Sequence, residues 1–130
     1  MDTKVMIVDD NESIRESVDI LFKAMGMGII TASGGAECLR SLEDGFRGVI
    51  LMDIMMPEMD GWDTIREIVN RRLYDGNIII MLTGMNEPDN KMEGVQEYVT
   101  DYMTKPFHPN ELMDSINYYL SLLEHLQATL

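Results

Sequence analysis

Five residues in this chain have the types and positions to do chemistry together. Asp9 and Asp10 close the apolar run Val5-Met6-Ile7-Val8, and Asp53 closes Val49-Ile50-Leu51-Met52. Thr83 closes Ile78-Ile79-Ile80-Met81-Leu82, and Lys105 follows Tyr102-Met103. If these runs are neighbouring strands of one sheet, three carboxylates, a hydroxyl and an ammonium meet on one rim. Carboxylates that close repel one another and are pushed towards protonation unless a cation intervenes. Mg²⁺ suits the need, because it takes oxygen ligands and uses one or two carboxylates directly while keeping several waters. A carboxylate beside such an ion can attack phosphorus and carry an acyl phosphate. Phosphoryl transfer asks for positive charge and hydrogen-bond donors on the phosphoryl oxygens, and Mg²⁺, Lys105 and Thr83 supply them.

The elements that must position these residues follow from periodicity. Short apolar runs alternate with amphipathic segments about three times as long, the pattern of an α/β domain built on a mostly parallel sheet. Asn11 caps a helix whose apolar face is Ile14, Val18, Leu21, Phe22 and Met25, and Gly26 stops it. Gly28 to Ala32 is a weaker strand, and Ser33-Gly34-Gly35 turns the chain into a helix carrying Ala36, Leu39 and Leu42. A loop with Pro57 and Gly61 leads to a third helix with Ile65, Ile68 and Val69. Pro88 suits the first turn of a fourth helix with Met92 and Val95 on its face, and Pro109 opens the last and longest helix. Sheets of this kind bind ligands beyond the carboxyl ends of their strands, which is where the five residues stand.

Length and composition narrow the class. A chain of 130 residues fits one domain with its own core. A formal net charge of -13 argues against direct binding of nucleic acid or an anionic membrane. Cys38 is the only cysteine, so no intrachain disulfide and no thiolate metal site is available, and a small buried hydrophobe is the expected role. His108 and His125 are the only histidines and are expected to be structural or on the surface. The N-terminus lacks a signal pattern and no apolar stretch reaches bilayer length, so a cytoplasmic location is expected.

The ordered set Asp9-Asp10, Asp53 with Met56-Pro57-Glu58-Met59-Asp60-Gly61, Thr83 and Lys105-Pro106-Phe107 resembles the response-regulator receiver domain of two-component signalling. The resemblance runs up to about His125. It implies a doubly wound, flavodoxin-like five-stranded parallel sheet of order 2-1-3-4-5 with helices on both faces. It implies a phosphorylation-activated switch, not an enzyme acting on a diffusing substrate, that takes a phosphoryl group from a sensor histidine kinase and changes its binding face for an output domain or downstream protein. In this resemblance Asp53 is the phosphoacceptor. Asp10 and Asp53 are direct Mg²⁺ ligands with the backbone carbonyl of Met55, and Asp9 acts mainly through water. Lys105 pairs with the carboxylates before phosphorylation and with the phosphoryl group after it, and its bond to Pro106 is expected to be cis. Thr83 is the switch hydroxyl and Tyr102 the switch aromatic.

Some positions depart from the family pattern. Tyr98 stands where many relatives carry a glycine, with Gly94 earlier, so the end of the fourth helix is expected to be reshaped. Met55 and Met85, each two residues beyond a site residue, flank the expected pocket mouth and are expected to shield the acyl phosphate from water. Thirteen methionines is a high count. Met6, Met52 and Met81 read as core, while Met55, Met56 and Met59 suit either family habit or contact with a partner helix. In the last helix, Leu112, Ile116, Tyr119, Leu123, Leu126 and Leu130 form a heptad seam. The reading is a receiver domain over 1–125 and a helix extension over 126–130, which can lead into a further domain or pack against a second copy as a homodimer. The alternative from another class is an Mg²⁺-dependent phosphatase or phosphotransferase with an aspartyl-phosphate intermediate.

Overall fold

Alternation along the strands builds this molecule in three layers. In the computed structural model, which describes residues 3–84 and 94–128, the strands are β1 (Val5–Val8), β2 (Ile30–Ala32), β3 (Val49–Asp53), β4 (Ile78–Thr83) and β5 (Asp101–Thr104). All pairings are parallel and the order is β2-β1-β3-β4-β5. Met6, Val8, Ile50, Met52, Ile79 and Met81 face one side, where they meet α2 (Gly35–Glu43) and α3 (Gly61–Asn70). Val5, Ile7, Val49, Leu51, Ile80 and Leu82 face the other, where they meet α1 (Glu12–Ala24) and α4 (Pro109–Ala128). Strands covered on both faces read as unbroken apolar runs, which is why β1, β3 and β4 stand out in the sequence. The doubly wound α/β fold and the 2-1-3-4-5 order expected from the resemblance are both present.

Several local readings are revised. The second strand begins at Ile30, two residues later than expected. Met25 is the C-cap of α1 and 55 % exposed, lying past the last turn that meets the sheet. Ala36 is exposed, because it sits about 100° around α2 from Gly35. The buried face of α2 is Gly35, Cys38, Leu39 and Leu42, so Cys38 is the buried hydrophobe it was expected to be. Gly35 belongs to the helix and not to a turn. A β-carbon there would collide with Thr64 Oγ1 and stand 2.6 Å from Met59 Sδ, so glycine lets α2 close onto α3.

The helix expected from Pro88, with Met92, falls outside the described residues. From Gly94 onward the chain buries Val95 and makes a 3₁₀ turn over Gln96–Tyr98. Tyr98 packs edge-on against Tyr74, with ring centroids 5.0 Å apart. In α4 most of the heptad seam is spent on the domain's own sheet. Leu112, Ile116 and Leu123 are buried, and Tyr119 is half-buried with its hydroxyl donating to Asp101 Oδ2 of β5 at 2.8 Å. Leu126 is 51 % exposed, and Leu130 is outside the described residues.

Candidate functional site

Strand register brings the rim together. Val8 pairs with Met52, Asp53 pairs with Leu82, and Thr83 pairs with Thr104. Asp9, Asp53, Thr83 and Lys105 therefore leave four adjacent strands at one level. Asp9 is fully buried and Asp53 is 5 % exposed, while Asp10 reaches solvent. Lys105 Nζ bridges the two buried carboxylates, at 2.7 Å from Asp9 Oδ2 and 3.1 Å from Asp53 Oδ1. The backbone N–H of Asn11 donates to Asp9 Oδ1 at 2.9 Å, so both oxygens of Asp9 are satisfied. The Lys105–Pro106 bond is cis, and the Lys105 N–H donates to the Thr83 carbonyl at 2.7 Å, which ties the end of β5 to the end of β4.

One ammonium does not balance three acids. Oxygens of Asp9, Asp10 and Asp53 lie within 4.8 Å of one another. Burial, and then the charge of Asp9, push the Asp53 carboxyl up to about 6, against the opposing pull of Lys105. Burial works against the Lys105 ammonium, yet its bonds and charge interactions with Asp9 and Asp53 prevail and raise its pKa above the ordinary value. The frustrated acid cluster is the chemistry of a cation site. Its oxygen-only donors fit a hard divalent ion, which would relieve the repulsion that one lysine leaves.

The loop after β3 closes over the site. The Gly61 N–H donates to the Ile54 carbonyl at 2.8 Å, and a β-carbon at Gly61 would stand 2.5 Å from the Asp53 carbonyl oxygen. Asp60 caps α3 with a capping box: its side chain accepts from the Asp63 N–H at 2.8 Å, and Asp63 accepts from the Asp60 N–H. Of the methionines in this loop, Met56 is buried and Met59 packs at Gly35, so only Met55, 67 % exposed, faces outward. Thr83 is half-buried at the end of β4, and Tyr102 on the edge strand is 48 % exposed. Met85 lies outside the described residues. His108 and His125 are both exposed.

Two participants were not read from the sequence. Arg15 of α1 reaches back to donate from Nη1 to the Asp9 carbonyl at 2.7 Å. Its place one turn into a helix gave no sign of that. The capping box had a visible signal, the Asp60-x-x-Asp63 spacing just before an apolar helical face.

Comparison with known proteins places this geometry in a family. Residues 5–117 match the model of the response regulator receiver domain. Over 113 residues the chain is 35 % identical to protein PilG of Pseudomonas aeruginosa, covering 87 % of this chain and 84 % of that one. It is 36 % identical to the alkaline phosphatase synthesis transcriptional regulatory protein PhoP of Bacillus subtilis, covering 86 % of this chain but only 46 % of that longer one. A receiver domain structure from Methanospirillum hungatei superposes with a TM-score of 0.89 at 47 % identity, covering 94 % and 97 % of the two chains. The chemotaxis protein CheY4 of Vibrio cholerae gives 0.78 at 33 % identity, covering 91 % and 98 %. No helix among the described residues is long and apolar enough to cross a membrane. With its fold, its acidic pocket and its relatives in agreement, this chain belongs to the response regulator receiver domains of two-component signalling, the phosphorylation-activated switches.

Proposed function

We propose that Asp53 is the phosphoacceptor of this receiver, and that Asp9, Asp10, Asp53 and the Met55 carbonyl form its Mg²⁺ site. The observation that carries the reading is the Lys105 bridge between Asp9 and Asp53, with Asp10 completing a cluster of three acids. Bound there, Mg²⁺ supplies charge neutralisation for the carboxylates and for a phosphoryl group. A carboxylate oxygen of Asp53 attacks the phosphorus of a phosphohistidine. The O–P bond forms as the P–N bond breaks, and the imidazole leaves with the electron pair. Lys105 passes from carboxylate to phosphoryl oxygen, because its flexible stem carries a point charge that follows the negative charge. The Thr83 hydroxyl donates to the same group from β4, and Tyr102 on neighbouring β5 responds to the move of Thr83.

The donor in this reading is a sensor histidine kinase. It approaches over an apolar depression of about 420 Å³ beside Lys105, lined by Ile14, Val18, Pro106 and Phe107 among others. The receiver is residues 1–125, with 126–130 extending the last helix towards an output domain, a downstream protein or a second copy. The domain assists its own phosphorylation and dephosphorylation, and it works in the cytoplasm. Nothing favours the phosphatase alternative, whose nucleophile follows the first strand in a DxDx[TV] arrangement. Here that strand leads into Asp9-Asp10-Asn11-Glu12.

The test is intact mass after incubation with Mg²⁺ and acetyl phosphate. The chain gains one phosphoryl group and Asp53→Ala gains none. Labelling that persists in the variant overturns the assignment.

A further inference from the structure

We propose that Arg15 is a positioning residue for the cation site, acting through the peptide bond that joins Asp9 to Asp10. This rests on the site reading given above. Arg15 Nη1 donates to the Asp9 carbonyl oxygen at 2.7 Å. That oxygen lies in the same rigid peptide plane as the Asp10 N–H, so holding it holds the direction in which the Asp10 side chain leaves the backbone.

The neighbouring acids need no such help. Asp9 has its N–H on the Ala32 carbonyl, and its carboxylate on Lys105 and the Asn11 N–H. Asp53 lies in β3, with Lys105 on its carboxylate and Gly61 closing over its carbonyl. Asp10 is exposed, follows the last residue of any strand, and has no side-chain hydrogen bond or ion pair among the described residues. Its carboxylate is therefore placed by its backbone alone. Among the described residues, the one side-chain bond on that backbone plane comes from a half-buried arginine anchored in α1, where its own N–H donates to the Asn11 carbonyl at 3.1 Å.

Charge and geometry make opposite predictions. A guanidinium beside a cation site repels the incoming ion, so if charge dominated, removing Arg15 would tighten binding. If placement of Asp10 dominates, removing Arg15 loosens binding, as losses of outer groups that orient metal ligands do. The 2.7 Å bond directed at the peptide, and not at a carboxylate, favours placement.

Calorimetric titration with Mg²⁺ decides. Arg15→Met is expected to weaken Mg²⁺ binding about tenfold, while its unfolding midpoint in chelator stays near the wild-type value. Arg15→Lys, which keeps a donor on a long stem, is expected to recover most of the loss. In an Asp10→Asn background, Arg15→Met is expected to change Mg²⁺ affinity no further, since it acts through Asp10. Arg15→Gln serves as the loss variant if Arg15→Met does not fold, and is read by the same criteria. Unchanged or tighter binding in the loss variant overturns the inference, as does a full loss that persists in the Asp10→Asn background. Absence of Mg²⁺ binding by the wild type overturns the site reading itself.

Discussion

Lys105 and Asp9 are 96 positions apart in the sequence, yet their ammonium and carboxylate meet at 2.7 Å with the aspartate wholly shielded from water. Lys105 thus sets an opposite charge directly against a buried carboxylate. Lys105→Met is expected to destabilise the fold by about 1–3 kcal/mol, below the range for a fully buried pair because the lysine is partly exposed. It also removes the pull that keeps Asp53 ionised, and labelling by acetyl phosphate is expected to slow about 100-fold. Urea unfolding and labelling rates measure the two effects separately. A variant that keeps wild-type stability and wild-type labelling would show the bridge to be incidental.

Asp53 sets a pH dependence of unusual sign. Its folded pKa of about 6 exceeds the ordinary 3.8, so the folded state holds its proton more tightly than the unfolded chain does. Without divalent ions its contribution is a destabilisation absent below the unfolded value, growing as pH rises between the two, and complete above about 6. At neutral pH it is on the order of 3 kcal/mol. In chelator, Asp53→Asn is therefore expected to be more stable than wild type at pH 7.5 and no more stable at pH 4. Unfolding of both proteins, followed by the fluorescence of buried Trp62, tests this. An equal gap at the two pH values would sink the argument.

Gly35→Ala presses a methyl group onto Thr64 Oγ1 and Met59 Sδ at the junction of α2 and α3. Overpacking of this kind is expected to cost about 1–3 kcal/mol. Thr64 donates to the Asp60 carbonyl at 2.8 Å and cannot swing away without losing that bond. Thermal unfolding checks the cost, and a midpoint unchanged within error would mean that the helices separate freely.

Met55 places an exposed thioether side chain two residues beyond Asp53. Met55→Asn is expected to shorten the life of the phosphorylated state several-fold by admitting water to the acyl phosphate. The decay of phosphorylated protein after removal of the donor is the measurement. Equal decay rates would dismiss Met55 as a shield.

What the sequence made legible follows from how locally each feature is encoded. β1, β3 and β4 are unbroken apolar runs, and residues at strand ends are fixed by the strands before them, so Asp9, Asp53 and Thr83 could be placed on one rim without coordinates. Asn11 was legible as a cap because its side chain bonds only three residues on, to the Ile14 N–H. Features that depend on distant partners were not. The exposure of Ala36 and Met25 is decided by where α2 and α1 meet the sheet. The need for glycine at 35 comes from Thr64, and the reach of Arg15 from the rotamer of a long side chain. Tyr98 could be flagged as a departure from the family pattern, but its partner Tyr74 is known only from the fold.

The commitment of α4 to its own sheet limits how a signal can leave the molecule. Leu112, Met113, Ile116 and Leu123 are all buried under that helix. Exposing four such side chains costs about 1.5–3 kcal/mol each, a sum comparable with the whole stability of a domain, about 5–15 kcal/mol. One acyl phosphate cannot lift α4 away and leave the rest folded. α4 is thereby held to the sheet by buried area that the exposed Met55 and the edge-strand residue Tyr102 do not share.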